Sequence, residues 1–343
     1  MKALAGRQPP PLDNAWIARR TEAIKEASRR QGAALEPIRM LPPVSGQGVV
    51  LCNIKNEALL LPHFLNHYRR IGVRRFAFVD NGSRDDTLAV LLDQPDCDVF
   101  RNLGDFRAAI HGMVWKTCLL NRYADAAWHL SADADEHAVY TGWPGTSLDE
   151  FAVRLGALWR STATAVMVDM YSEGPLSDAR VSASRDMLDI CPFLDGDGYS
   201  ISVPANWRVE RFPRLDVRGG PMSRLYGSPG RGWLAKTPLL LEPNILFNDP
   251  HTVIPLSLNF ALPTMALLHF RFSELLARRI AGLHARAYTQ GNAAIYQRLA
   301  SDLEVDPGFT LHYSGSIRFS SFEQFLERCV VDDRLARSVP AGR

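Results

Sequence analysis

WHLSADADEH, residues 128–137, decides how the rest of the chain is read. An apolar run ends there in three acids, Asp133, Asp135 and Glu136. The run reads as a short buried strand, and residues two apart on an extended backbone project the same way. Asp133 and Asp135 at its C-terminal end could therefore grip one cation. Two carboxylates at a strand tip suit a hard divalent ion, Mn2+ or Mg2+, that stays open to phosphate oxygens. Taken alone, a D-x-D of this kind is more often an acidic turn after a strand. The chain before it shifts the balance.

VVLCNI (Val49–Ile54) is a continuous apolar run, as expected of a strand buried on both faces. Leu60, Leu61, Phe64, Leu65, Tyr68 and Ile71 then fall at helical spacing, and Gly72 is placed to end that helix. RRFAFVD, ending at Asp80, reads as a second strand, with a helix near 88–92 and a short third strand at 99–101. A helix from about Asp105 to Tyr123 leads back to the acidic strand. This alternation predicts a mainly parallel sheet covered by helices. Ligands of such sheets bind outside the carboxyl ends of the strands. Polar residues sit at those ends in turn: Asn56 and Glu57, then Asp80 and Asn81, then Asp133 and Asp135.

Further along, residues 148–159 read as a helix, and TAVMVDMYSEG (164–174) is a strong strand signal with Asp169 and Glu173 near its end. Residues 175–235 are rich in Gly, Pro, Asp and Arg, with Trp207, Phe212, Tyr226 and Trp233 as apolar anchors. Strands are expected at 234–241 and 265–270, a long helix after Ser273 and another over 321–330. Four segments result: an N-terminal helical extension (1–47), a first half (48–140) and a second half (141–272) of one domain, and a C-terminal helical region (273–343).

A chain of 343 residues, 46% hydrophobic and 22% charged, can bury a substantial core, and its net charge of +2 gives no basic field for nucleic acid. The five cysteines are odd in number and without a C-x-x-C pair, which fits reduced thiols in a cytoplasmic protein. The N-terminus has no apolar leader core, and no run approaches the ~18 apolar residues of a membrane span. Residues 14–30 form a basic amphipathic stretch. It reads either as a helix lying on an anionic membrane surface, a peripheral contact, or as a solvated helix packed on its own domain.

KNEA (55–58), DNGSRDDT (80–87) and DADE (133–136), in this order and spacing, resemble a glycosyltransferase of the GT-A fold, in the broad family 2 class. The closest subgroup carries N-E-A, D-N-x-S-x-D-x-T and D-x-D-E segments. The likeness continues more weakly through RGGPMSRLYG (218–227), AKTPL (235–239), His251 and LLHFRFSE (267–274), and leaves out residues 1–47. One departure is His137 after DADE, where the family usually has an apolar aromatic; packing variation is the expected meaning.

The resemblance implies a Rossmann-like α/β sheet with a less regular acceptor region. It also implies an inverting transfer of sugar from a nucleotide-diphospho-sugar, a UDP-sugar by preference, to a glycan or other hydroxyl acceptor. A divalent ion held by Asp135, assisted by Asp133, would stabilise the departing diphosphate. Asp80 would accept from the uracil ring, with Asn56 and Glu57 lining the nucleoside pocket. A histidine would complete the metal shell, His269 first and His251 second. Arg107, Lys236 and Arg224 are cationic helpers for the diphosphate. The acceptor's general base is open among Glu173, Asp189, Glu242 and Asp249, with Asp249 chosen for its place two residues before His251. Two rival readings are a sugar nucleotidyltransferase, whose Gly-rich first loop KNEALLL does not match, and an inactive GT-A-like nucleotide-binding scaffold.

Overall fold

Eight consecutive residues of TATAVMVD are buried, as are five of six in VVLCNI. Such runs are stable only where both faces of a strand are covered, and a single sheet collects them. The computed structural model describes residues 14–32, 34–43, 45–203, 214–227, 234–242, 244–276 and 293–327. Trp207, Phe212 and Trp233 lie outside these, as do the continuation of the helix after Leu276 and the end of the last expected helix, with Cys329.

The strands in chain order are β1 (Glu36–Arg39), β2 (Val49–Ile54), β3 (Phe76–Asp80), β4 (Cys97–Arg101), β5 (His129–Ser131), β6 (Glu136–Tyr140) and β7 (Thr162–Asp169). There follow β8 (Phe193–Asp195), β9 (Ser200–Ser202), β10 (Asp216–Arg218), β11 (Ala235–Leu240), β12 (Leu246–Phe247), β13 (Val253–Ile254), β14 (Met265–His269) and β15 (Ser316–Arg318). Nine of them make one sheet in the order β1-β4-β3-β2-β5-β11-β7-β14-β6. β2, β3, β4 and β5 pair in parallel, and β7 and β14 run the same way across the antiparallel β11. Only β1, β6 and β11 run against them. The sheet is thus mixed but mainly of one direction, in an α/β architecture.

Helices α1 (Asn14–Gly32), α2 (Leu61–Arg70), α3 (Thr87–Leu92), α4 (Met113–Arg122) and α5 (Leu148–Ala157) flank it. On α2 the expected apolar face is buried, and Gly72, at φ +92°, takes the left-handed turn after the helix. α5 opens with a capping box in which Ser147 and Glu150 satisfy each other's backbone N–H groups.

Two features depart from the sequence reading, and a third selects between the two readings of the N-terminal helix. The helix expected from Asp105 starts at Met113, because Ile110, His111 and Gly112 all have positive φ (53°, 53° and 76°) and break it. The residues after the acidic turn form β6, buried throughout and paired to β14 at the far edge. The N-terminal segment is joined to the domain: β1 pairs with β4, and Ile24 of α1 is buried against Ile254 and Leu256, with Trp16 and Ile17 packed alongside. The apolar side of α1 is thus covered by its own domain. Among the described residues no helix is long and apolar enough to cross a membrane.

Candidate functional site

Because six strands share a direction, their C-terminal ends share a rim. There β2 delivers Asn53, Lys55 and Glu57, β3 delivers Asn81, and β5 delivers Asp133 and Asp135, all lining one cavity of about 540 Å³. The shared rim expected from the sequence is present, with a cleft between the tips.

The first two motif loops are stitched to each other. Asn56, at φ +57°, accepts a bond from Arg84 N (2.8 Å) and donates its own N–H to Ser83 Oγ (3.0 Å). Glu57 N donates to Thr87 Oγ1 (2.8 Å), and Ala58 N to Asp85 Oδ2 (3.2 Å). Asp80 is 1% exposed, and its carboxylate accepts from Gly82 N (3.3 Å) and Ser83 N (3.1 Å). The motif residues Asn56, Asp80, Ser83, Asp85 and Thr87 therefore build the rim's geometry, and Asn81, rather than Asp80, is the β3 residue lining the cavity.

Asp133 stands between two buried lysines. Lys116 Nζ lies 3.4 Å from Asp133 Oδ1, and Lys236 Nζ 3.5 Å from Oδ2, while half of the Asp133 side chain stays exposed. Burial pushes the Asp133 carboxyl up, but Lys236 and then Lys116 outweigh it and hold the group well below the usual carboxylate range. Lys236 also reaches both oxygens of Glu136, at 2.8 and 2.6 Å. Glu136 in turn accepts from Asp133 N (2.9 Å), so this buried pair fixes the DADE turn. The Lys236 ammonium is committed inside the protein and is not among the cavity's lining residues. Lys116 was not foreseen. Its only trace in the sequence is a single lysine inside the apolar helical run MVWKTCLL. Its Nζ also donates to Ser131 Oγ at 2.8 Å.

Asp135 meets His269. The register aligns Glu136, His269 and Asp169 in one row across β6, β14 and β7, and Phe270 N donates to Asp135 O at 2.8 Å. His269 Nε2 lies 3.4 Å from Asp135 Oδ2, while Nδ1 lies 2.9 Å from Asp169 Oδ1. Arg271 donates to the other Asp169 oxygen at 2.6 Å. Burial alone would lower the His269 pKa, but the Asp135 and Asp169 carboxylates raise it to about 10. Asp169 therefore orients the imidazole and turns its other nitrogen towards Asp135, the arrangement that carboxylate–histidine–metal sites use.

A hard divalent ion fits this donor set. Among the described residues no three His, Cys, Asp or Glu side chains already converge as a complete cation site. Mg2+ sites, however, commonly take one or two carboxylates and leave the rest to water and substrate phosphates. Asp135, on the cavity wall, would offer such an ion an oxygen ligand and His269, once neutral, a nitrogen ligand, with Asp133 beside them.

The remaining candidates lie elsewhere or are otherwise engaged. His251 is half-buried with Nδ1 3.2 Å from Ala235 O, and desolvation lowers its pKa to about 3. Asp249, expected as base, is 3% exposed and caps its own turn, accepting from His251 N (2.7 Å) and Thr252 N (3.1 Å). A carboxylate so occupied is poorly placed to take an acceptor proton. Arg107 is exposed on the turn before α4. Arg224 grips Asp195 at 3.0 and 3.2 Å and lies over the Tyr313 ring, bracing the 310–318 segment. Glu173, Asp189 and Glu242 are exposed. His137 is core, stacked on His67 at 4.3 Å between ring centroids, in keeping with a packing role.

No family model matches the chain, and no curated protein matches it. Among solved structures it is similar to a mannosyltransferase from Pyrobaculum calidifontis in complex with GDP-Man and Mn2+, at 17% identity and TM-score 0.26, over 46% of this chain and 47% of that one. The chain thus spans about half the length of that structure. It is similar to a 4-diphosphocytidyl-2C-methyl-D-erythritol synthase at 13% identity and TM-score 0.27, over 84% of this chain and 100% of that one. A third likeness, to HddC from Yersinia pseudotuberculosis, has 9% identity and TM-score 0.27, over 82% of this chain and 98% of that one. At such scores these likenesses add nothing to the chemistry, which rests on the cleft.

Proposed function

We propose that the cleft binds a nucleotide-diphospho-sugar and transfers its sugar to a hydroxyl acceptor, as a metal-dependent glycosyltransferase. The observation that carries this reading is the meeting of the β2, β3 and β5 tips around one cavity, with Asp133 and Asp135 on its wall. A diphosphate facing Glu57, Asp133 and Asp135 would be repelled unless a cation bridged them. Asp135 and His269 are the residues to hold that cation, and Asp169 keeps the imidazole aimed. The ion would act as a Lewis acid for the leaving diphosphate.

The chain's own contribution is preorganisation. The Lys236–Glu136 pair fixes the turn that carries both aspartates, and Lys116 anchors Asp133 from beneath. Both lysines also place positive charge behind the site where diphosphate charge develops. A panel of nucleotide sugars screened for hydrolysis with and without Mn2+ tests the reading. At least one donor should turn over in a Mn2+-dependent way, and Asp135→Ala should reduce that rate to background with the unfolding midpoint kept. Formation of a sugar nucleotide from NTP and sugar phosphate would assign nucleotidyl transfer instead. Nucleotide binding with no turnover of any donor would favour a scaffold.

A further inference from the structure

The segment before α4 is strained where it meets the cavity. Ile110 and His111 both sit at φ +53°, followed by Gly112 at +76°. A β-branched residue in the left-handed region is an outlier, and such strain persists only where the surroundings enforce it. Here they do. Ile110 packs on the Ile24, Ile254 and Leu256 cluster, and Asn53 Nδ2 donates to Gly112 O at 3.0 Å. Gly112 cannot be replaced without conflict, because a Cβ there would lie 2.2 Å from Asn53 Nδ2 and 2.8 Å from the Phe106 ring.

The strained turn places two rings on the cavity wall. His111 and Phe106 both line it, edge to face at 5.8 Å, and Phe106 is 40% exposed. Behind Phe106 stands Trp115, 5.9 Å away, itself fixed by a bond from Nε1 to Gln31 Oε1 of α1 (2.8 Å). Asn53 lines the same cavity. Its Nδ2 is taken by Gly112, while its Oδ1 is buried and has no hydrogen-bond partner among the described residues. A buried acceptor left unmet is costly, and a ligand N–H arriving beside it removes that cost.

Flat rings beside an unmet acceptor suit a planar heterocycle with an N–H edge. We propose that Asn53, Phe106 and His111 form the base subsite of the bound nucleotide: Phe106 stacks on the face of the nucleobase, His111, set nearly at right angles to Phe106, meets the base at its edge, and Asn53 Oδ1 accepts a hydrogen bond from its N–H. This assignment rests on the nucleotide reading above and places base recognition on the β4–α4 segment and Asn53, beyond the motif loops.

Calorimetric titration of the full chain in Mn2+ buffer with UDP, GDP, CDP and ADP tests it, with inorganic pyrophosphate as the base-free control. Phe106→Ala should weaken the preferred nucleoside diphosphate about tenfold or more, the range seen when a base-stacking ring is removed, and leave pyrophosphate binding unchanged. His111→Gly separates recognition from folding. It should weaken the nucleotide in the same selective way without lowering Tm, since glycine is at ease at positive φ. Equal weakening of pyrophosphate, or nucleotide affinity retained in both variants, would overturn the subsite and leave the nucleotide reading standing. Failure of the wild type to bind any of the four nucleotides would overturn both.

Discussion

Lys236→Met tests how the acidic turn is held. The Lys236 side chain is 3% exposed and that of Glu136 1%, and the ammonium contacts both carboxylate oxygens at 2.8 and 2.6 Å. Methionine fills similar volume, so the loss is the charge and not the packing. Glu136 would then be a buried carboxylate whose strongest partner is gone, leaving the backbone N–H of Asp133. Removing one member of a buried ion pair costs about 3–5 kcal/mol, whereas replacing both by apolar groups of like size is near neutral. Urea unfolding should therefore show a loss of about 3–5 kcal/mol for Lys236→Met and recovery of most of it in Lys236→Met/Glu136→Gln. The pH dependence has a definite sign. An unpaired Glu136 has a raised folded pKa, so the variant's deficit is smallest below the ordinary Glu value of about 4.3 and grows as pH rises above it. A loss under about 1 kcal/mol, or one independent of pH, would refute the pair as the clamp of the turn.

Two further consequences concern the neighbours of the site and the core. Asp169→Asn keeps an acceptor for His269 but removes the charge that orients it and pairs with Arg271; Mn2+ affinity, followed by electron paramagnetic resonance, should fall about 10–100-fold. An unchanged affinity would remove His269 from the cation site. His67, stacked in the core with Nε2 2.9 Å from Ala138 O, has its pKa lowered by burial to about 4. Its contribution is intact above the unfolded value near 6.5 and lost as pH falls towards 4, about 3 kcal/mol in all. His67→Phe should flatten the unfolding free energy over that interval, and an unaltered slope would place the acid sensitivity elsewhere.

The parts of the fold legible in the sequence are those fixed by local pattern. β2, α2 and β3 announce themselves through unbroken apolar runs and one helical stripe ended by Gly72, and the rim of polar tips follows from their shared direction. β6 was not legible: EHAVY pairs with β14, more than a hundred residues away, and nothing local in it separates a strand from a loop. The late start of α4 was hidden too, since Ile110 and His111 carry no mark of positive φ; packing against α1 imposes it. At the site, the motif letters gave the right neighbourhood but mixed two jobs. Asp80 and Asn56 shape the loops, while Asn53, three residues before Asn56 on β2, lines the cavity. Lys116 and the Asp169–His269 contact depend on how β7, β14 and α4 converge, which spacing along the chain does not encode.

The central claim is that the β-strand tips present one cation-binding edge to a nucleotide diphosphate. Crystals of the full chain grown with Mn2+ and the tightest-binding nucleoside diphosphate, mapped by anomalous scattering at the manganese edge, test it most directly. We expect a single strong peak in the cavity, in contact with the Asp135 carboxylate and the diphosphate oxygens. A peak elsewhere, or a bound nucleotide with no manganese beside Asp135, would contradict it.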